Sequence, residues 1–264
     1  VWDEHFTRAE LRDMLNHAAQ TRTLMAQVAA GRYPSPAFIV WPENGTDSDP
    51  FVDATANKVL ADAVADAGVP ILVGVPTNGP EAGERQTTDL WWTNAGAVAR
   101  YDKRDLVPFG EWIPFRDVLL PLIPILSVIG DQAIPGDKPG VLNVTGPDNR
   151  PLAVGVAICY EVAFADTMFD TANAGGEVVI VGSNNAMFQG TSQIEQQFAI
   201  TRVRAAEMRR EILVVTTSGI SGLIDDHGRV VLRGAESVAD SGVVTMTRTT
   251  VKSPELLGGW ALEY

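Results

Sequence analysis

The stretch PLAVGVAICYEVAF, residues 151–164, is an apolar run of strand character that stops abruptly at a cysteine, with Tyr160 and Glu161 directly behind it. Cys159 is the only cysteine in the chain. A short, wholly apolar run bounded by a turn fits a strand covered on both faces, inside a sheet flanked by helices. A lone cysteine is ordinarily a small buried hydrophobe. This one ends a strand just before a turn, where open α/β sheets place their ligands. It therefore reads as a candidate nucleophile.

Working outward, similar buried runs recur in AFIVWPE (37–43), VPILVGVP (69–76), EVVIVGSNN (177–185) and EILVVTTSG (211–219), and GAVARYD (96–102) reads as a further strand. TRAE at 7–10 is a capping box, with Thr7 and Glu10 at the right separation, and opens an amphipathic helix over 8–30. Leu11, Leu15, Ala18, Met25 and Val28 lie at helical spacing there. SDPF (48–51) predicts a second helix, with Asp49 as N-cap, Pro50 in first position and Gly68 closing it. Residues 77–95 are polar and glycine-rich, a hairpin or loop, and 103–150 is a long irregular region rich in proline. A helix is expected over 192–210 and a hairpin over 222–234, turning at Asp226, His227 and Gly228; 241–249 ends the regular structure. The order of elements predicts one α/β domain over 1–264, a mixed sheet covered by helices.

The 264 residues carry a formal charge of −13. That length can bury a core without disulfides, and one cysteine cannot form an internal one. The acidic balance argues against a nucleic-acid groove. Arg202, Arg204, Arg209 and Arg210 cluster, but helical spacing spreads them around a helix as a solvated face. The most apolar stretch, VLLPLIPILSVIG (118–130), is shorter than the ~20 residues of a membrane span and carries two prolines. The chain starts at Val1 rather than methionine, as expected of a piece excised from a longer protein.

A thiol at its ordinary pKa of ~8.5 is mostly protonated at neutral pH, so a cysteine nucleophile needs a base or a cation beside it. His5, His17 and His227 do not end core strands, so cysteine–histidine catalysis has little support. Glu43 and Lys103 do follow strand exits, as Cys159 does. Each alone would pass for a surface charge; three at comparable exits could converge. Neither Glu43 nor Lys103 is expected to carry core packing.

WPEN (41–44), YDKRDLVPFGEWIPF (101–115) and ICYEVAF (158–164) resemble the glutamate, lysine and cysteine motifs of the nitrilase superfamily. The form K-x-x-L-V-P-F-G-E-x-x-P is more particular and is similar to the catalytic domain of bacterial apolipoprotein N-acyltransferases. Residues 183–210 and 218–230 match that family in order and spacing. Departures lie at Asn185 and Met187, where the family usually has aspartate and tryptophan, at EQQ (195–197), where a triplet with histidine is common, and at TSG (217–219) in place of NNG.

The resemblance implies a nitrilase-like α-β-β-α sandwich with mixed sheets and a Glu43–Lys103–Cys159 triad. Glu43 would be the base, Cys159 the nucleophile, and Lys103 with the Tyr160 backbone N–H the oxyanion stabilisers. Glu111 and Glu161 match supporting positions, Asn184 and Phe188 are implied to be supporting or substrate-binding, and the departures line the implied pocket. For Glu111 a loop-capping carboxylate and for Glu161 a helix N-terminal charge are the structural alternatives. The implied reaction moves an acyl chain from a phospholipid, through a thioester, to the α-amino group of a diacylated lipoprotein, with no metal or cofactor. The implied setting is the extracytoplasmic face of the bacterial membrane, in a multi-pass parent; some members carry a fused polyprenol-phosphate mannosyltransferase. The apolar stretch 112–135 would meet the membrane surface, or else pack on the core. A small-amide hydrolase of the same superfamily and a non-catalytic lipid- or partner-binding domain are the alternatives.

Overall fold

The computed structural model describes residues 12–253 and Leu256. Strands β1 (Ile39–Trp41), β2 (Ile71–Asn78), β3 (Glu84–Thr93) and β4 (Gly96–Asp102) lie in that order in one sheet, and β5 (Gln132–Ala133) adds to β3. β1 and β2 are parallel; β2, β3 and β4 form an antiparallel meander. Helices α1 (Arg12–Ala29) and α2 (Ala54–Ala67) cover its outer face. Between β4 and β5 the chain makes an excursion holding α3 (Arg116–Leu122) and a 3₁₀ segment, Pro124–Ile129.

The second sheet contains β6 (Val141–Thr145), β7 (Pro151–Ile158), β8 (Val178–Ser183), β9 (Ile212–Thr216), β10 (Gly222–Ile224) and β11 (Val230–Arg233), paired in chain order. Its centre, β7-β8-β9, is parallel and both flanks are antiparallel. Helices α4 (Ala165–Asn173) and α5 (Gln193–Met208) cover its outer face.

The two-residue period of the strands sorts side chains into the layers. On β2, Ile71, Val73 and Val75 face the helices while Leu72 faces the other sheet. Trp92 and Trp91 divide in the same way on β3. Val154, Val156 and Ile158 of β7 and Ile180 of β8 meet Leu72, Trp91 and Tyr101 between the sheets. Ala157, Val179 and Val181 point outward to Phe198, Ala205 and Met208 of α5. The result is the expected α-β-β-α sandwich with mixed sheets.

Several local expectations change. The Thr7–Glu10 capping box and Leu11 lie outside the described residues. The buried stripe of α1 is Met14, Ala18, Thr21 and Leu24, so Leu15 is exposed. Asp53, not Asp49, caps α2: its Oδ1 accepts from Thr55 and Ala56 N–H at 2.8 and 3.2 Å. Asp49 is occupied one turn earlier, taking the Phe51 and Asn78 N–H groups. Gly68 does close the helix, in the left-handed conformation. Of the two readings of 77–95 the hairpin holds, with most of the stretch in strand because Trp91 and Trp92 bury on opposite faces of β3. β6 lies inside the region expected to be irregular. Residues 241–249 form no strand; Thr247 donates to the Glu211 carboxylate and Thr249 to the Glu177 carbonyl, outside any ladder.

The arginine cluster is not simply a solvated face. Arg210 is buried, its guanidinium bonded to the carbonyls of Gly176, Met208, Arg209 and Val251. It ties the end of α5 to the C-terminal segment. Arg204 likewise holds the Val162 and Ala163 carbonyls.

Candidate active site

β1 ends in a turn in which the Pro42 carbonyl accepts from Gly45 N–H at 2.9 Å and Asn44 takes a positive φ of 54°. Asparagine tolerates that conformation. The turn places Glu43 indoors, 6 % exposed. Its backbone lies against both sheets. A Cβ on Gly74 of β2 would stand 2.6 Å from Glu43 Cα, and one on Gly182 of β8 would stand 3.3 Å from Glu43 N. Glycine at 74 is thus a steric requirement for the turn.

Lys103 leaves β4 still bonded to the strand beside it, through its N–H to the Thr87 carbonyl. Its side chain is 1 % exposed, with Nζ 3.4 Å from Glu43 Oε1 and 2.9 Å from Glu111 Oε2. Glu111 also accepts from Val107 N–H at 2.8 Å, so the carboxylate that holds the lysine shapes its own loop. The excursion behind it is pinned at the root. Ala133 N–H donates to the Glu111 carbonyl, Ile113 N–H donates to Gln132 Oε1, and Ile113 is buried. Beyond that root no residue of α3 or of the 3₁₀ segment is buried; Phe115, Leu122, Ile125 and Val128 are each at least 72 % exposed. The helix accommodates Pro121 in its last turn and ends at Ile123, before Pro124, so only the second proline falls at a break.

Cys159 opens a single 3₁₀ turn with φ 52°, left-handed and unusual for a side chain of its size. Fully buried Glu161 holds that turn. Its Oε2 accepts from Ile158 N–H at 2.7 Å; Oε1 accepts from Tyr101 Oη and Arg104 N–H, both at 2.6 Å. One carboxylate thereby clamps the exit of β7 to the exit of β4. Each of these glutamates caps backbone, and Glu111 also pairs with Lys103 while Glu161 fixes the residue before Cys159.

From β8, Asn184 N–H donates to Glu43 Oε2 at 2.7 Å. From α5, Gln197 Nε2 lies 3.6 Å from Cys159 Sγ and 3.1 Å from Ser183 Oγ, while Gln197 Oε1 accepts from Asn185 Nδ2 at 2.7 Å. Phe188 is half-buried and packs on the core beneath the helices; Tyr160 is 38 % exposed, its ring edge-on to Phe164.

The charges are strongly coupled. Burial opposes the Lys103 ammonium, but Glu43, the Cys159 sulfur and Glu111 outweigh it and hold the group above the ordinary lysine range. Burial, reinforced by Glu43, pushes the Cys159 thiol up to about 12, with Lys103 and Gln197 pulling the other way. The resting sulfur is therefore a neutral thiol beside a carboxylate. Burial raises Glu161 while its N–H and O–H donors oppose the rise. Buried Asp89 on β3 is raised well above the aspartate range by burial and by Glu161 and Glu43.

The structure brings together Glu43, Lys103, Glu111, Cys159, Glu161 and Asn184, and leaves Tyr160 and Phe188 at the margin. Sequence reasoning gave no role to Tyr101, Asp89, Ser183 or Gln197. Asp89 lay in the stretch read as a hairpin or loop; Gln197 was visible only as a departure from a histidine-containing triplet. Among the described residues, the group with metal-ligand character is Asp225, Asp226 and His227 at the β10–β11 turn. Its groups are engaged in that turn, with Asp225 accepting from His227 and Arg229 N–H and Asp226 contacting the His227 ring.

A carbon-nitrogen hydrolase family model matches residues 13–253. The apolipoprotein N-acyltransferase of Mycolicibacterium smegmatis is 34 % identical over 229 residues, 83 % of this chain and 36 % of the relative. That of Synechocystis sp. is 38 % identical over 133 residues, 50 % of this chain and 24 % of the relative. The chain thus spans about a third or less of the length of these relatives. Among solved structures, a mutant amidase from Nesterenkonia sp. AN1, with the acetamide moiety of fluoroacetamide on its active-site cysteine, superposes with a TM-score of 0.61 at 16 % identity. It covers 86 % of this chain and 80 % of its own. The glutamine-dependent NAD+ synthetase of Acinetobacter baumannii reaches 0.61 at 15 % identity over 87 % of this chain and 41 % of its own. At these identities the likeness shows the nitrilase-superfamily fold.

Proposed function

We propose that this chain, which belongs to the carbon-nitrogen hydrolase family, performs the acyl transfer of an apolipoprotein N-acyltransferase through a Glu43–Lys103–Cys159 triad. The observation that carries this reading is the buried Lys103 ammonium fixed between Glu43 and Glu111, at the strand exits that also deliver Cys159.

A neutral thiol with a raised pKa must lose its proton as it attacks. Glu43 accepts it, and the sulfur adds to the ester carbonyl of a phospholipid. The oxyanion so formed is met by the Lys103 ammonium and the Tyr160 N–H. Collapse breaks the acyl C–O bond; Glu43 returns the proton to the departing lysophospholipid oxygen and a thioester remains. The α-amine of a diacylated lipoprotein has an ordinary pKa of ~7.7–8.0, so a neutral fraction is present to attack in turn. Glu43 removes its proton, the C–S bond breaks, and the thiol re-forms as the amide leaves.

Support for a lipid donor comes from the exposed apolar excursion 115–128, rooted on Glu111. Contiguous exposed apolar side chains of this kind mark membrane or partner contacts. No described helix is long and apolar enough to cross a membrane. The excursion would rest on the extracytoplasmic membrane surface while the sandwich stays outside it.

Intact-mass measurement after incubation with phospholipid vesicles tests the proposal. One acyl group should be added, be released by hydroxylamine, and be absent from Cys159→Ala. An adduct persisting in that variant would remove Cys159 from its role. Hydrolysis of small amides with no acyl adduct would move the assignment to the amidases.

A further inference from the structure

We infer that Gln197 is a positioning residue for the nucleophile: its side-chain N–H hydrogen-bonds the Cys159 sulfur, and Asn185 fixes the amide in the orientation that makes this possible. The inference rests on the reading of Cys159 as the nucleophile.

The geometry sets the direction of this bond. An amide beside sulfur could present either its NH₂ or its carbonyl, and the two would act oppositely on a developing thiolate. The Asn185 side chain decides which. It is 3 % exposed, and its Oδ1, with no hydrogen-bond partner among the described residues, lies against Gly219, where a Cβ would stand 2.3 Å away. An oxygen can rest against a glycine Cα–H as a weak C–H···O contact, whereas an NH₂ group there would aim a donor at a hydrogen. With its oxygen so placed, Asn185 turns Nδ2 to Gln197 Oε1, 2.7 Å away. Gln197 then directs Nε2 to Ser183 Oγ and Cys159 Sγ. The chain of amides runs from a loop glycine to the sulfur.

The other charged groups coupled to the sulfur come from different elements. Glu43 follows β1, Lys103 follows β4, and Glu111 belongs to the loop after it. Lys103 is the one cation among them and is held by both carboxylates. A neutral donor from α5 therefore stabilises sulfur charge without joining that ion cluster, and it holds the side chain of a residue whose own backbone is left-handed.

Alkylation by iodoacetamide, which needs no acyl donor, reads this directly. Log rate should rise with pH in the native chain, and the vertical offset of a variant reports the change in sulfur acidity. Gln197→Leu should run about tenfold slower across the alkaline range, the lower end expected for a hydrogen bond to a charged group at a long sulfur contact. Gln197→Glu, of nearly the same shape, should be slower still because it faces sulfur with a carboxylate. Should the leucine variant fold poorly, Gln197→Met, of the same length and without a donor, takes its place and should show the same slowing. Asn185→Ala should slow the reaction in the same sense but less. An unchanged or faster rate in folded Gln197→Leu overturns the inference, the faster rate meaning that the carbonyl faces sulfur. Acyl-adduct formation on the same samples separates the two readings. A native chain that alkylates in a Gln197-dependent manner yet never accepts an acyl group overturns the transferase and leaves this inference standing. An acylated chain indifferent to Gln197 does the reverse.

Discussion

Replacing Lys103 with methionine should weaken the fold as well as stop acyl-enzyme formation. Methionine fills similar volume, so lost packing contributes little. The larger effect is electrostatic. Lys103 Nζ lies 3.4 Å from Glu43 Oε1 and 2.9 Å from Glu111 Oε2, and the lysine side chain is 1 % exposed. Breaking a buried ion cluster from one side costs about 3–5 kcal/mol, because the remaining charges stay buried without their partner. With each kcal/mol worth about 2–4 °C in a chain of this size, the variant should melt roughly 10 °C below the native chain near pH 8. The sign with pH follows from linkage. The folded lysine is held above its ordinary 10.5, so its stabilisation is fully present below that value and is lost only as pH rises through the folded one. A melt near pH 8 therefore reads it in full. Thermal melts of both chains near pH 8 check this. A variant within about 2 °C of the native chain near pH 8 would refute the reasoning, since no buried ion cluster could then be holding the site.

Asp89→Asn should become more stabilising as pH rises. The Asp89 carboxyl is raised by burial, Glu161 and Glu43, so its contribution is present below the ordinary aspartate value of 3.8 and is lost as pH rises through the folded value. The melting advantage of the asparagine variant should grow from about pH 4 to about pH 8; a difference that stays constant would count against that protonation. Changing Leu120, Leu122 and Ile125 together to serine should cut sedimentation with phospholipid vesicles and acylation by long-chain phospholipid. Leu122 and Ile125 are 72 % and 78 % exposed, so the melt should barely move, and Cys159 should react with a small thiol reagent as before. Unaltered vesicle binding would detach the excursion from the membrane.

What the sequence made legible follows the range of the interactions. The strands around Cys159 and β2 are continuous apolar runs, and such runs announce burial on both faces by themselves. β3 stayed open between hairpin and loop because Thr87, Thr88 and Asp89 are polar; they are buried by the site they help to build, and nothing local signals that. The motifs around Glu43, Lys103 and Cys159 stood out as strand exits, and family resemblance supplied their roles. Gln197 could not be found by spacing, since it reaches Cys159 from a helix 38 positions away. Arg210 was read as surface for a similar reason: the carbonyls that satisfy it come from three separate stretches of chain.

The steric pinch at Glu43 bears on how mutational scans of this chain should be interpreted. Position 74 has no side chain to offer the site, yet a Cβ there would drive into Glu43 Cα and the Pro42 carbonyl at 2.6 Å. Because neither obstacle is the end of a flexible side chain, alanine there must displace the turn that carries Glu43. A scan scored on activity alone would rank Gly74 beside the proposed triad and credit it with chemistry it does not perform. Scoring abundance alongside activity would expose the difference: alanine at 74 should deplete both, whereas Cys159→Ala should deplete activity alone.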